Sequence, residues 1–160
     1  MKIREYQDSD IKQIVLLFYE TVHSVNTVDY SIEQLHAWAP RKEIEKKLKG
    51  WNIFLGNNIT YVAEINGKIV GFVDMSYRGY LDRLYTHKDY LRQGIATALV
   101  NKVESVARKI RLSEIHTEAS VTARPFFEAH GYEVMRAQNV ERMGVTLPNF
   151  HMRKTLVAKS

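Results

Sequence analysis

The sequence predicts a mixed α/β (α+β) fold, a β-sheet covered by helices, in one domain over residues 1–160, and three features carry that expectation. Apolar residues recur at helical spacing in "IKQIVLLFYETVHSV" and again after Gly94. Between these runs, "ITYVAEINGKIVGFVDMSY" reads as two strands around the turn Asn66-Gly67, a strong short-range hairpin signal. The second half then passes from strand to helix to strand and closes with further strands.

Taken in order, "KIREY" alternates like a short strand, and Asp8, Ser9 and Asp10 offer capping side chains to a first helix with Ile11, Ile14, Val15 and Phe18 on one face. Ser31 and Gln34 have capping-box spacing at the start of "SIEQLHAWA". Pro40 interrupts, and a charged helix is expected from Arg41 to about Lys49. After the hairpin comes the strand "YLDRLYTH", then a helix from Gly94 to about Lys109 with Ile95, Leu99, Val103 and Val106 at apolar spacing. "EIHTEA" reads as a strand, "TARPFFEAH" as a helix closed by Gly131, and "YEVMRAQNV" and "NFHMRKTLV" as two last strands.

Composition narrows the function classes. The chain has no cysteine, which excludes thiolate catalysis, disulfides and a cysteine zinc site. No run approaches the roughly 20 apolar residues of a membrane span, and "MKIREYQDSD" is too polar for the core of a signal peptide, so a soluble cytoplasmic protein is expected. A formal net charge of +5 favours an anionic partner. The basic residues are nevertheless dispersed, and the cluster "RKEIEKKLKG" carries glutamates and reads as a solvated helix face. A nucleic-acid partner is therefore disfavoured, since no basic helix or aromatic-basic alternation is present. The histidines lack helical ligand spacing, so no metal is expected, and neither a nucleophile elbow nor a Gly-Lys-Ser/Thr phosphate loop occurs.

One stretch does carry chemistry. In "YLRQGIATALV" a strand hands over to a helix at Gly94, and a helix start offers unpaired N–H groups and the positive dipole end to an anion. Ala96 and Thr97 keep the approach open, Lys88 and Arg92 add positive charge, and Thr97 adds a hydroxyl. "LRQGIA" resembles the pyrophosphate loop of the acyl-CoA-dependent N-acyltransferases of the GNAT superfamily, which reads Gln or Arg, any two, Gly, any, Gly or Ala. Gly94 and Ala96 match, whereas Leu91 departs at the first place. "SVTARPFFEAHGY" resembles a second family pattern, matching at Ala123, Gly131 and Tyr132, with Ser120 replacing the usual asparagine and Phe127 the usual tyrosine. With "DRLYTHKDYLRQGIATALV" and the N-terminal "IREYQDSDIKQIVLLF", the resemblance covers nearly the whole chain.

The resemblance implies a mostly antiparallel central sheet with a splayed strand pair holding acyl-CoA. It implies that Leu84, Tyr85 and Thr86 line the pantetheine arm with their main chain, and that Arg92, Gln93, Gly94, Ile95, Ala96 and Thr97 receive the pyrophosphate. Ser120, Ala123 and Phe127 would complete the cofactor side. The reaction implied is direct transfer of an acetyl group from acetyl-CoA to a primary amine of a small molecule or peptide. An ammonium has no lone pair, so a base must take its proton. Strand alternation puts Tyr80, Asp82, Leu84 and Thr86 on one side, which makes Asp82 the first candidate. Tyr80 is the family's comparable position by spacing from Gly94, and Glu118 is the rival, with His116 two residues earlier read as structural.

Phe127 has no proton for a departing thiolate, so either solvent and main chain serve or a tyrosine such as Tyr80, Tyr85 or Tyr132 substitutes. The same feature keeps open an alternative, a CoA-binding module without efficient transfer. For the acceptor, the resemblance points to the N-terminal helices and the last hairpin. Tyr30, His36, Trp38 and Phe150 are the candidate wall, and Asp29, Glu33 or Glu141 would attract a cationic amine. Dimers are common in the superfamily, and no interface is legible in this sequence.

Overall fold

The computed structural model describes residues 1–156; Val157, the last residue of the expected strand "NFHMRKTLV", lies outside them with the remaining C-terminal residues. Seven strands form one sheet in the order β1-β2-β3-β4-β5-β7-β6. They run over Lys2–Glu5 (β1), Ile59–Ile65 (β2), Lys68–Met75 (β3), Tyr80–Thr86 (β4), Glu114–Ser120 (β5), Glu133–Arg142 (β6) and Val145–Thr155 (β7). Every neighbouring pair is antiparallel except β4 and β5, so the sheet is mostly antiparallel, as expected.

Helices cover both faces. α1 (Ile11–Ser24), α2 (Ile32–Trp38) and α3 (Ile44–Asn57) pack on one side, where Ile14, Phe18, Leu55 and Phe72 share a core. α4 (Ile95–Lys109) and α5 (Arg124–Ala129) pack on the other with Val73, Leu81, Leu99 and Ile115. The approach of α4 to β3 is close: a side chain at Gly71 would meet Ile95 Cγ2 at 2.8 Å. Hydrophobic burial on both faces is what holds the layers together.

The capping assignments resolve locally. Ser31 and Gln34 form the expected reciprocal box at α2. Ahead of α1, Asp8–Asp10 form a 3-10 turn, and the Asp10 carboxylate accepts from the Gln7 N–H at 2.8 Å. Burial pushes that carboxyl up, but hydrogen bonds from Arg4 and Gln7 outweigh it and hold Asp10 below its usual value.

Two element boundaries differ from the sequence expectation. Arg41–Glu43 form a 3-10 turn, and the helix begins at Ile44 and continues to Asn57, well beyond Lys49. Its apolar spacing through Ile44, Leu48, Trp51 and Leu55 carries on across Gly50, and those residues pack on the α1 side of the sheet. At the other end, β7 starts at Val145 rather than Asn149 because Met143 and Gly144, both with positive φ, turn β6 directly into it.

Strand β4 carries the correction that matters most for function. Asp74 pairs with Arg83 and Met75 with Leu81, so Asp82 is an extra residue, a β-bulge. Simple alternation therefore fails across it. Leu81 and Leu84 both pack on the α4 side, while Arg83 and Tyr85 lie toward α1 and α3. Tyr80 and Leu84 are consequently not on one face, contrary to the reading from period two.

Candidate active site

β4 and β5 share register at Tyr80↔His116 and Leu81↔Thr117 only. The Thr117 hydroxyl donates to Leu81 O at 2.9 Å, and beyond this point the strands splay. A cavity of about 240 Å³ opens in the splay. Leu84, Tyr85 and Thr86 line it from β4, Ser120 and Ala119 from β5, Ala123 and Phe127 from α5 and its approach, and Ala96 from the first turn of α4. Thr86 O already accepts from the Thr21 hydroxyl of α1 at 3.0 Å, which pins the open edge of β4 at its far end.

The loop at the end of this cavity has an anion-binding geometry. Arg92 (φ 61°) and Gly94 (φ 78°) both adopt the left-handed conformation, and no side chain caps α4. The amides of its first turn are therefore unpaired, and a Cβ at Gly94 would meet nothing within 4 Å. Glycine serves this turn through its conformation and leaves open space beside it. Arg92 and Gln93 are exposed, whereas the Ile95 side chain is buried, so Ile95 offers only its main chain. The Thr97 hydroxyl lies 3.1 Å from His130 Nε2, and His130 Nδ1 lies 2.8 Å from Phe126 O. A carbonyl can only accept, so Nδ1 carries a proton, and in neutral His130 the Thr97 hydroxyl donates to Nε2. Thr97 is thus engaged with His130 rather than free to donate toward the loop.

A second cavity, about 250 Å³, adjoins the first on the α1–α3 side of the sheet. Trp38, Asp82, Tyr85, Glu118 and Ser120 line both, and so mark the junction. The bulge puts Asp82 there, and the outward register of β5 puts Glu118 there. Tyr80 lines only the second cavity; burial and then the nearby Glu118 and Asp82 carboxylates push its phenol up to about 12. It therefore keeps its proton at neutral pH and can act as a hydrogen-bond donor. Tyr85 is likewise pushed up, chiefly by burial, and stays protonated at the junction.

The other candidates fall into place around these. The Tyr30 hydroxyl donates to Pro148 O at 2.6 Å and accepts from the Val121 N–H at 2.9 Å, so it holds the wall of the second cavity rather than offering a free group. Phe150 lines neither cavity; its ring packs against the Arg124 guanidinium at 4.4 Å. His36 and Glu33 flank a separate shallow depression, and Asp29 accepts from Thr122 Oγ1 at 2.9 Å, so the carboxylates at the second cavity are Asp82 and Glu118 instead. Phe127 is buried edge-on to Tyr132, whose hydroxyl donates to Glu104 at 2.9 Å, which removes Tyr132 from the site. His116 sits between Glu114 (2.8 Å) and His151 (3.2 Å) in a structural cluster. Among the described residues no group of histidine, aspartate and glutamate side chains has the arrangement of a metal site.

Four polar and aromatic residues escape the sequence reading. Lys47 and Trp51 lie on the part of α3 read as a solvated face or left unassigned, one turn apart and both lining the second cavity. Arg83 stacks over Trp51 at 4.7 Å and donates to wholly buried Asp74 at 2.7 Å and to Asp82 at 3.1 Å. Arg142, at the end of β6, closes the wall. The available signal was the spacing of Leu48, Trp51 and Leu55, which extends α3 and brings Lys47 against the sheet.

Comparison with known proteins gives this geometry a family. The chain matches the acetyltransferase (GNAT) domain family over residues 26–156. It is 34% identical over 153 residues to an uncharacterized N-acetyltransferase, YafP, of Escherichia coli (strain K12), covering 96% of this chain and 95% of that protein. Among solved structures, a GCN5-related N-acetyltransferase from Rhodopseudomonas palustris superposes with a TM-score of 0.90 at 28% identity, covering 97% of this chain and 95% of that one. The PaiA N-acetyltransferase from Thermoplasma acidophilum, solved in complex with coenzyme A, shares the fold with a TM-score of 0.75 at 18% identity, covering 96% of this chain and 98% of that one. With the family matched across most of its length, the chain belongs to the GNAT acetyltransferases and is by class an N-acetyltransferase.

Proposed function

We propose that the protein transfers an acetyl group from acetyl-CoA directly to a primary amine of a small molecule. The observation that carries this reading is the junction: the splay cavity and the second cavity meet where Asp82, Glu118 and Tyr85 line both. In this reading Leu84–Thr86 and Ala123 flank the pantetheine arm, and the loop from Arg92 to Thr97 receives the pyrophosphate on unpaired amides. The bound thioester supplies the electrophilic carbonyl and the thiolate leaving group. Asp82 or Glu118 takes a proton from the incoming amine, directly or through water, and exposes its lone pair. Tyr85, kept protonated by burial and lining the junction, takes the place of the missing hydroxyl at Phe127 as proton donor to the leaving sulfur.

A second reading, CoA binding without transfer, rests on Phe127, a buried ring with no proton to give. One experiment separates the two. Purified protein is incubated with acetyl-CoA and a panel of primary amines, and both free thiol and acetylated amine are measured. Amine-dependent release of both supports the transferase reading; acetyl-CoA binding without either product supports the binding module.

A further inference from the structure

Charge is distributed unevenly along the second cavity. Its carboxylates, Asp82 and Glu118, sit at the junction with the splay cavity, whereas Lys47 and Arg142 line the second cavity alone. Arg83 is also there, but it is committed to Asp74 at 2.7 Å and Asp82 at 3.1 Å. Lys47 and Arg142 make no ion pair among the described residues.

The Lys47 ammonium is held between the rings of Phe18 and Trp51, 5.6 and 5.5 Å from their centroids. Burial and the neighbouring cations Arg83, Arg142 and Lys46 oppose its charge, and Glu43 is the carboxylate that favours it. A half-buried cation without an ion-pair partner gains more from a ligand anion than an exposed lysine does. Asn149 pairs in register with Ser120 of the junction and lines the second cavity, and among the described residues its Oδ1 is buried without a hydrogen-bond partner. It can accept from an N–H that enters.

We infer that the acceptor is a small molecule carrying an acidic group on the same skeleton as its amine, with the amine at Asp82, Glu118 and Asn149 and the acid at Lys47 and Arg142. This inference rests on the transferase reading above and narrows its acceptor from any primary amine to an amino-acid-like one. The cavity, about 250 Å³, lies just under the roughly 300 Å³ at which typical small-molecule pockets begin, which suits one such residue better than an oligosaccharide. Polycationic amines are disfavoured because their further charges would meet Lys47 and Arg142.

Matched pairs test this: phenylalanine against phenethylamine, leucine against isoamylamine and glutamine against 4-aminobutyramide, with spermidine and kanamycin as polycations. Acetyl-CoA binding is measured first by calorimetry, then kcat/KM for each amine. The expected result is at least a tenfold preference for the acid-bearing member of the best pair. K47M should collapse that preference through KM, and R142Q, on the exposed hairpin, should lower it in the same direction. Equal or better turnover of the acid-free amines, turnover of polycations alone, or acceptance of none of the acids by protein that binds acetyl-CoA overturns the inference while leaving the transferase scaffold standing. Failure to bind acetyl-CoA overturns both.

Discussion

The Thr117 hydroxyl donates to the carbonyl oxygen of Leu81 at 2.9 Å, and this is the bond at which the two parallel strands of the sheet part company. Thr117 is buried, so the T117V variant keeps its shape and loses only the donor. Losing this hydrogen bond to Leu81 O should cost about 0.5–1.5 kcal/mol of stability by urea unfolding. Acetyl-CoA affinity should fall as well, because the same bond sets where the splay cavity begins, and T117S should restore both.

Asp82 and Glu118 can be ranked by substitution. D82N should lower kcat about 100-fold or more, the size of a lost general base, while the calorimetric Kd for acetyl-CoA stays within error of the wild type. The pH profile of kcat/KM decides between them: if D82N retains the acidic limb and E118Q abolishes it, Glu118 is the base.

Tyr85 is expected to act as the proton donor that Phe127 cannot be. Y85F preserves the ring that packs edge-on to Phe18 at 5.0 Å and removes only the hydroxyl. Turnover with a poor-leaving-group thioester should fall by about tenfold or more, and a thiolate of low basicity should be spared. Equal loss with both donors would assign Tyr85 a packing role.

Asp74 adds a pH dependence to stability. Burial, working against Arg83 and Asn58, raises its carboxyl from 3.8 to about 6. Between these values the folded chain holds more protons than the unfolded one, so this group's contribution falls as pH rises from about 4 through 6. The span is on the order of 2–3 kcal/mol. D74N should flatten that slope in urea unfolding measured from pH 4 to 7. Asp10 has the opposite sign, being held below 3.8, so its contribution is lost on the acid side of the window.

The elements of the fold were largely legible because each has a periodic apolar face or a turn with its own chemistry: Asn66-Gly67, the Ser31/Gln34 box, Gly94. The loop was legible as an anion-binding helix start at Gly94, but the splay only through resemblance, since a pair of strands that separates has no local signature. Asp82 was reached by alternation that the bulge at Asp82 itself invalidates; it lies at the junction because of the bulge. Lys47, Arg83 and Arg142 were not reached at all. Their roles depend on α3, β4 and the last hairpin meeting in space, and a charged helix face reads the same in sequence whether it fronts solvent or a cavity. Phe150 lies apart from both cavities for a related reason: an aromatic at the expected place packs under Arg124.

Acetyl-CoA binding at the Gly94 turn is tested most directly by a calorimetric titration of the wild type and G94V with acetyl-CoA, with dephospho-CoA and ATP as comparison ligands. A side chain at Gly94 meets no protein atom within 4 Å, but φ of 78° strains any L residue there, most of all a β-branched one, and the methyl groups of valine would occupy the space beside the unpaired amides. The expected result is one-to-one binding that depends on the acetyl-pantetheine arm, weakened at least about tenfold in a G94V protein whose circular dichroism is unchanged. No binding to the wild type, or equal affinity in folded G94V, would contradict it.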